Sequence, residues 1–201
     1  MSLEKTNAMK TSIRLLLTIF IIFSSLSVLG QTRYVLTADQ ELIVFGTSTL
    51  HNWEMVTTTA TGQGVFTVDS GELQKVENFK IKFKGEDLES GKGIMDRNTR
   101  RALDTENTPM ISFELEELKR NAEGKLEAWG DFTAKGNTRR IKFVVSYEIR
   151  NELIDVEGTT SFKMTDFDIE PPVALAGTLR TSDVVGIEFY LTFEKEASLD
   201  N

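Results

Sequence analysis

Strict alternation of apolar and polar residues is the feature of this 201-residue chain that most limits how it can fold. In FKIKFK (79–84), Phe79, Ile81 and Phe83 point one way and the three lysines point the other. Successive side chains of a β-strand lie on opposite faces, so this run fits a strand with one buried and one solvated face. The same period continues from residue 33 almost to the C-terminus, which predicts an all-β protein.

The predicted strands are numerous, and several are long. The clearest predicted strands cover 79–84, 110–115, 139–149 and 186–194. Weaker ones cover 33–37, 41–45, 53–61, 63–69, 125–134 and 153–163. A strand of about ten residues spans about 33 Å, which is long for a β-sandwich in a chain of this size. Long strands joined by tight turns, such as 69–72, 121–125, 135–139 and 150–152, favour an antiparallel up-and-down barrel of about eight strands over a Greek-key sandwich.

Two segments interrupt the alternation. In 86–109 the run IMDRNTRRALD has a helical rather than an alternating pattern, and Pro109 returns the chain to an extended conformation. We predict a loop and a short helix that cross one end of the barrel. The second segment, 165–184, contains Pro171 and Pro172 and predicts another, shorter covering turn.

The N-terminus has the composition of an export signal. After a short charged start, the apolar core of 12–30 fades into small residues, with Val28 and Gly30 at the positions of a small-x-small cleavage site. We predict a signal peptide over 1–30 with cleavage before Gln31. A retained N-terminal anchor is the alternative, and Met9 is an alternative start.

The domain boundaries and the compartment follow from that leader. The barrel domain is predicted over 31–195, followed by a frayed tail over 196–201. An exported protein without an evident sorting domain is expected in the periplasm, with full secretion as the alternative, and without stable membrane insertion once the signal is cleaved.

Composition excludes several classes of function. The chain has no cysteine, so disulfides, thiolate metal sites and cysteine nucleophiles are excluded. The first thirty residues carry Lys5, Lys10 and Arg14 against Glu4, a net charge of +2, so the overall −8 leaves −10 on the other 171 residues. That acidity disfavours nucleic acid as a partner, because phosphates would be repelled. The oligomeric state stays open, a dimer being one option.

His51, the single histidine, is the first candidate for chemistry. A metal site would need more nitrogen or sulfur ligands than one histidine supplies, and no G-x-S-x-G nucleophile motif is present. We therefore predict no catalytic residue and no metal site. His51 is expected to be a turn residue whose ring bonds to nearby backbone, or a polar contact at the barrel mouth. Trp53, two residues later, is expected to pack in the core or at the rim.

The segment around Asp96 is the second candidate. Arg97 and Arg101 are four residues apart and so share one helical face, while Asp96 and Arg100 are spaced for an ion pair. One interpretation is that Arg97 and Arg101 meet an anionic head group through their forked donors. The other is a solvated amphipathic helix with local ion pairs.

Several motifs, in order, resemble the YceI-like family of exported lipid-binding barrels. They are the segment GTSTLHNWE, the G-x-F element at 64–66, the block FKIKFKGEDLESGKGIMDRNTRRALDTENTPMISFEL, the hairpin GDFTAKGNTRRIKF and the strand and bend TSFKMTDFDI. The shorter stretch ALDTENTP after the helix and the double proline followed by VALAG depart from the family pattern at the mouth of the barrel.

The resemblance implies a lipocalin-like barrel whose apolar interior holds an isoprenoid-like or fatty chain, with no other cofactor. The expected ligand contacts are inward-facing residues of the strands: Trp53, Phe79, Ile81, Phe83, Phe113, Phe143, Phe189 and Leu191. His51, Arg97 and Arg101 are the expected mouth contacts. Alternation alone does not tell whether these side chains line a cavity or fill it. A structural or interaction barrel with a closed core is therefore the alternative, and a lipid hydrolase is the third.

Overall fold

The computed structural model describes residues 31–174 and 177–197, with the side chain of Ala174 excepted. In chain order the strands are β1 (Gln31–Ser48), β2 (Asn52–Thr57), β3 (Thr61–Asp69), β4 (Glu72–Lys84), β5 (Met110–Arg120), β6 (Leu126–Ala134), β7 (Asn137–Arg150), β8 (Leu153–Lys163), β9 (Val173–Ala174) and β10 (Leu179–Lys195). One α-helix, α1 (Gly93–Leu103), lies between β4 and β5, and 3₁₀ turns cover Gly85–Asp87 and Met164–Phe167.

Eight antiparallel strands close into a barrel. Neighbours follow the order β1, β3, β4, β5, β6, β7, β8, β10, and β10 pairs back with β1 from Tyr34↔Lys195 to Ser48↔Thr181. β2 adds to the same sheet beside β1, and the two-residue β9 pairs with the start of β10. The predicted all-β up-and-down barrel is confirmed. Closure leaves β1 and β10 paired with each other instead of exposed as sheet edges.

The tight turns define two ends of the barrel. The turns after β3, β5 and β7 lie together at what we call the distal end, and positive φ angles at Gly71, Gly124 and Asn151 let the chain reverse there. The connections after β1, β4, β6 and β8 lie at the opposite end, the mouth end. The mouth end therefore carries both of the segments that interrupt the sequence alternation.

The predicted strand over 53–61 is wrong at its end. β2 stops at Thr57, and β3 begins at Thr61. The cause is β1, whose register shifts between Leu36 and Gln40, so that its first part pairs with β3 and its second part with β2. The Gln40 amide bridges the break by donating to the carbonyl oxygens of Thr37 and Ala60, both at 2.9 Å. The runs predicted at 33–37 and 41–45 accordingly form one long strand.

The crossing segment has the predicted short helix and covers one end of the barrel. Its ends meet where the Gly85 amide donates to the Pro109 carbonyl at 2.8 Å. α1 stops at Asp104, which has a φ of 52° in the left-handed region and donates its amide to the carbonyls at the end of the helix. None of the described helices is long and apolar enough to cross a membrane.

The predicted signal peptide over 1–30 lies outside the described residues, as do the last four residues of the predicted tail. The start of that tail is bonded to the barrel: the Glu196 amide donates to the Arg33 carbonyl at 2.9 Å, and the two side chains are 3.5 Å apart. In the second irregular segment, the 3₁₀ turn buries Phe167 completely against Phe132 and Phe162.

Candidate functional site

The mouth half of the barrel interior is hollow. It contains a cavity of about 530 Å³ whose wall is mostly hydrocarbon. Side chains from β1, β2, β4, β5, β6, β8 and β10 and from α1 form that wall, among them Val44, Met55, Phe83, Ile111, Phe162 and Val185. A volume of this size lies within the range of about 300–1,000 Å³ that is usual for small-molecule sites.

Helix α1 forms the roof of the cavity. Its inner face presents Met95, Asn98, Thr99 and Ala102 to the interior, spaced three or four residues apart as one helical face requires. Thr99 Oγ1 lies 3.0 Å from the sulfur of Met55, which is buried in β2. The roof is thereby in direct contact with the wall.

The loop before α1 is fastened to β2. Val56 and Glu89 form an isolated antiparallel bridge with both backbone hydrogen bonds at 2.9 Å. Asp96, in the first turn of α1, accepts hydrogen bonds from the Ser90 amide at 2.9 Å and the Ser90 hydroxyl at 2.6 Å. These bonds lower the pKa of the Asp96 carboxyl, because they favour its charged form.

The arginines of α1 face away from the cavity. Arg97 and Arg101 are exposed, and neither is among the residues that line the interior. The predicted ion pair between Asp96 and Arg100 is wrong: the carboxylate of Asp96 is bonded to Ser90, and Arg100 Nε donates to the Glu86 carbonyl at 3.3 Å. The spacing correctly grouped the two arginines on one exposed side of the helix, and their predicted contact with a head group at the mouth stays a prediction.

Polar groups gather where the cavity opens. Ser48, His51, Lys92 and Asn98 lie among its lining residues. The His51 carbonyl accepts bonds from the Ser48 amide at 3.0 Å and the Ser48 hydroxyl at 2.8 Å, so the turn is held by the backbone of His51 and not by its ring. His51 itself is exposed and lines the cavity, and its role as a polar contact at the mouth stays a prediction.

Trp53 lines the same cavity and is fixed in place. Its indole nitrogen donates to the Thr47 carbonyl at 3.2 Å, and its ring covers Gly46. A Cβ atom at Gly46 would lie 2.6 Å from the ring, so only glycine permits this approach. The indole therefore presents a rigid apolar face near the mouth.

The distal half of the interior is nearly filled. It leaves a cavity of only about 90 Å³ among close-packed aromatic rings, such as Phe113 and Phe143 at 5.1 Å and Phe143 and Phe189 at 5.5 Å between centroids. Four residues line both cavities and so separate them: Val44, Phe83, Phe132 and Ile187.

The predicted ligand contacts divide between these two halves. Trp53 and Phe83 line the large cavity. The others line the narrow distal space, together with Phe83: Phe79, Ile81, Phe113, Phe143, Phe189 and Leu191. The sequence reasoning missed the inner face of α1, although Met95 and Ala102, one on each side of Asn98 and Thr99, marked its apolar side.

Titratable side chains are scarce at this site. Of the residues lining the large cavity, His51 and Lys92 are the titratable ones, and both lie at its opening. Within residues 31–174 and 177–197, no group of three or more histidines and carboxylates is placed to hold a metal ion.

Comparison with known proteins identifies the family. A model of the YceI-like domain matches residues 34–193, which is most of the chain. The chain belongs to the YceI-like family. A search of curated proteins finds no match for this YceI-like protein.

Solved structures with the same fold are distant in sequence. BcnA of Burkholderia cenocepacia has a TM-score of 0.65 at 14% identity, covering 77% of this chain and 96% of its own. A domain of Saccharophagus degradans described as polyisoprenoid-binding has a TM-score of 0.58 at 11% identity, covering 83% and 100%. The Campylobacter jejuni YCEI protein has a TM-score of 0.51 at 14% identity, covering 67% and 81%. These likenesses establish the shared barrel fold.

Proposed function

We propose that this YceI-like protein binds lipid, holding an isoprenoid-like or fatty chain in the mouth half of its barrel. The observation that carries the proposal is the apolar cavity of about 530 Å³ under α1, which opens to the surface beside Lys92 and His51. The family membership and the polyisoprenoid-binding description of the Saccharophagus degradans domain support the same ligand class.

Hydrocarbon burial is sufficient to drive such binding. Each methylene moved from water into an apolar site contributes about 0.8 kcal/mol, so ten of them contribute about 8 kcal/mol before the costs of association. The wall offers few polar groups that the ligand would have to desolvate. We infer that the chain enters first and that its polar head stays at the opening, within reach of Lys92 and Asn98.

The same geometry favours binding over catalysis. A lipid hydrolase needs a nucleophile and a base held together at the scissile bond. The lining places its titratable groups, His51 and Lys92, at the opening, while the interior around Met55 and Phe132 is apolar. We therefore propose a non-enzymatic carrier or sequestering protein.

We further propose that the protein is exported to the periplasm. The support is the sequence of residues 1–30, with its charged start, apolar core and small residues before Gln31. Mass spectrometry of the protein recovered from a periplasmic fraction tests this proposal. A chain that begins at Gln31 is the expected result, and an uncleaved chain retained in the membrane would contradict it.

The binding proposal is tested by filling the cavity. Ala102 lies on the inner face of α1, so Ala102→Trp places an indole in the space that the ligand would occupy. Arg101→Trp is the matched control, because it adds the same ring to the exposed side of the helix. Circular dichroism and thermal melting establish that both variants keep the fold.

Mass spectrometry of organic extracts, together with titration by a fluorescent fatty chain, gives the readout. We expect co-purifying lipid and saturable binding in the wild type and in Arg101→Trp, and at least about a tenfold loss of affinity in Ala102→Trp, since a few methylenes would be displaced. Equal binding by all three proteins would place the ligand outside the cavity and refute the proposal.

A further inference from the structure

The three most exposed large hydrophobic residues of the described chain all lie around the mouth. Ile94, Leu50 and Val173 are 69%, 66% and 52% exposed, and they belong to three segments far apart in sequence. Ile94 lines the opening itself, Leu50 lies between two lining residues, and Val173 follows Pro172, which also lines it. Exposed aliphatic residues that gather at one place on the surface are typical of a protein or membrane interaction site.

Two of these segments are bonded to each other, and all three contribute residues to the lining of the same cavity. The Thr49 amide donates to the Arg180 carbonyl at 3.0 Å, and the Thr49 hydroxyl donates to the Thr178 carbonyl at 3.0 Å. The turn that carries Leu50 is therefore bonded to the start of β10, and β9 with Val173 pairs with that same start. We call the segments 48–52, 92–103, 170–174 and 177–181, each of which lies at the mouth end, the mouth rim.

The mouth rim is basic on an acidic protein. Its charged residues are five cations and two carboxylates, a net charge of +3: Lys92, Arg97, Arg100, Arg101 and Arg180 against Asp96 and Glu170. Residues 31–201 as a whole carry −10, since residues 1–30 contribute +2 to the overall −8. The rim segments thus carry a net positive charge on an acidic chain, while the neighbouring loops at the same end add carboxylates, among them Asp104, Asp166 and Asp168.

We propose that the mouth rim docks on an anionic lipid bilayer, with Leu50, Ile94 and Val173 entering the interface and the arginines meeting lipid phosphates. Aliphatic residues flanked by basic ones are the combination that binds membrane surfaces. Docking there places the opening of the cavity against the lipid, which is where a chain could pass between bilayer and barrel. The inference rests on the proposed function for its purpose, but the docking itself needs no ligand in the cavity.

The absence of cysteine makes site-specific labelling direct. Leu50→Cys, Ile94→Cys and Val173→Cys are each labelled in the full chain with an environment-sensitive nitrobenzoxadiazole probe. Leu153→Cys is the matched control, since Leu153 is a half-exposed aliphatic residue at the distal end. Because each probe reports its own surroundings, binding of the chain through residues 1–30 alone would leave the rim probes in water.

Vesicles of phosphatidylcholine with and without phosphatidylglycerol are added to each labelled protein. We expect blue-shifted, brighter emission at the three rim sites with the anionic vesicles, a much weaker response with neutral ones, and none at Leu153→Cys. Rim probes that stay in water, equal responses to both vesicle types, or an equal response at the control would each overturn the proposal.

Charge variants give a second measurement. Arg97→Gln with Arg101→Gln should weaken anionic vesicle binding by about tenfold or more, since each basic residue near such a surface contributes about 1 kcal/mol. Lys119→Gln with Lys125→Gln removes the same charge near the distal end and should change little. Equal weakening by both pairs would show only an effect of net charge and would overturn docking through the rim.

The two proposals fail separately. Binding of the fluorescent fatty chain is measured without vesicles, and docking on vesicles is measured with Ala102→Trp as well as with the wild type. If the protein does not dock on vesicles but still binds the fatty chain, the docking inference alone is refuted. If the wild type docks on vesicles but binds no fatty chain, the proposed function is refuted and the rim remains a membrane contact.

Discussion

Gly130 of β6 lies where two strands approach too closely for any side chain. A Cβ atom there would overlap the carbonyl oxygen of Glu114 and would lie 2.7 and 2.9 Å from atoms of the Phe113 ring. Gly130 pairs with Leu115, next to a register shift in β5. The missing side chain lets the Phe113 ring lie over the backbone of β6 and fill the distal interior.

Replacing Gly130 tests that close approach. Gly130→Ala should lower the free energy of unfolding by about 3 kcal/mol, because the added methyl group forces β5 and β6 apart in a packed region. Gly93→Ala is the control, because the nearest atom to its added Cβ would be Arg97 Nη1 at 3.7 Å and alanine favours the helix. Urea denaturation measures both, and equal stabilities of the two variants would contradict the interpretation.

The site was only partly predictable from single residues. Alternation identified Phe83 as inward-facing, because a strand has two faces and one of them is polar, and Trp53 was predicted separately as a core or rim residue. It did not separate Phe83 from Phe113, since a residue that lines a hollow and one that fills a core look alike in sequence. Arg97 and Arg101 were predicted as ligand contacts because of their charge. Asn98 and Thr99, which face the cavity, were missed because their side chains are equally common on a solvated surface.

A small polar cluster stabilises the start of the crossing segment. Ser90 donates two hydrogen bonds to the Asp96 carboxylate, and Asp96 lies in the first turn of α1, where the helix dipole favours negative charge. Arg100 and Arg101 occupy the last turn, where positive charge is favoured. The charged residues at both ends of α1 therefore stabilise the helix that forms the roof of the cavity.

This cluster makes the stability of the protein depend on pH. The pKa of Asp96 is lowered in the folded state, so its stabilisation is present above the ordinary carboxyl pKa of about 4 and is lost as pH falls through the folded value. Asp96→Asn should therefore cost about 1 kcal/mol at pH 7, and the difference from wild type should shrink below about pH 4.

Urea denaturation at pH 7 and pH 3 measures that difference. Glu106→Gln is the control, since Glu106 is an exposed carboxylate in the same crossing segment. A gap between Asp96→Asn and wild type that is as wide at pH 3 as at pH 7 would show that the charge of Asp96 is not what holds the roof.

Elements with regular alternation were predicted well, and irregular pairing was not. β4, β7 and β10 contain the clearest alternating runs, and each forms a strand that spans its run. The separation of β2 from β3 depends on the register shift in β1 and on the Gln40 side chain that satisfies the Ala60 carbonyl. A contact between residues 20 positions apart leaves no periodic signal in either segment.

The barrel as a whole combines a packed half with a hollow half. Aromatic rings close the distal interior, where Phe66, Phe79 and Phe193 contact one another at 5.4–6.1 Å between centroids. The mouth half is lined by smaller or more flexible side chains such as Ala134, Met164 and Ala102. The packed half supplies stability, so the other half can remain open without loss of the fold.

A crystal structure of the protein with a fatty acid brominated at its terminal carbon tests directly whether the barrel holds a lipid chain. Bromine gives an anomalous signal that locates the end of the chain. We expect one strong peak inside the barrel near Phe83 and Phe132, with the carboxylate at the opening beside Lys92. Bromine found only on the outer surface at saturating ligand, with the interior empty, would contradict lipid binding inside the barrel.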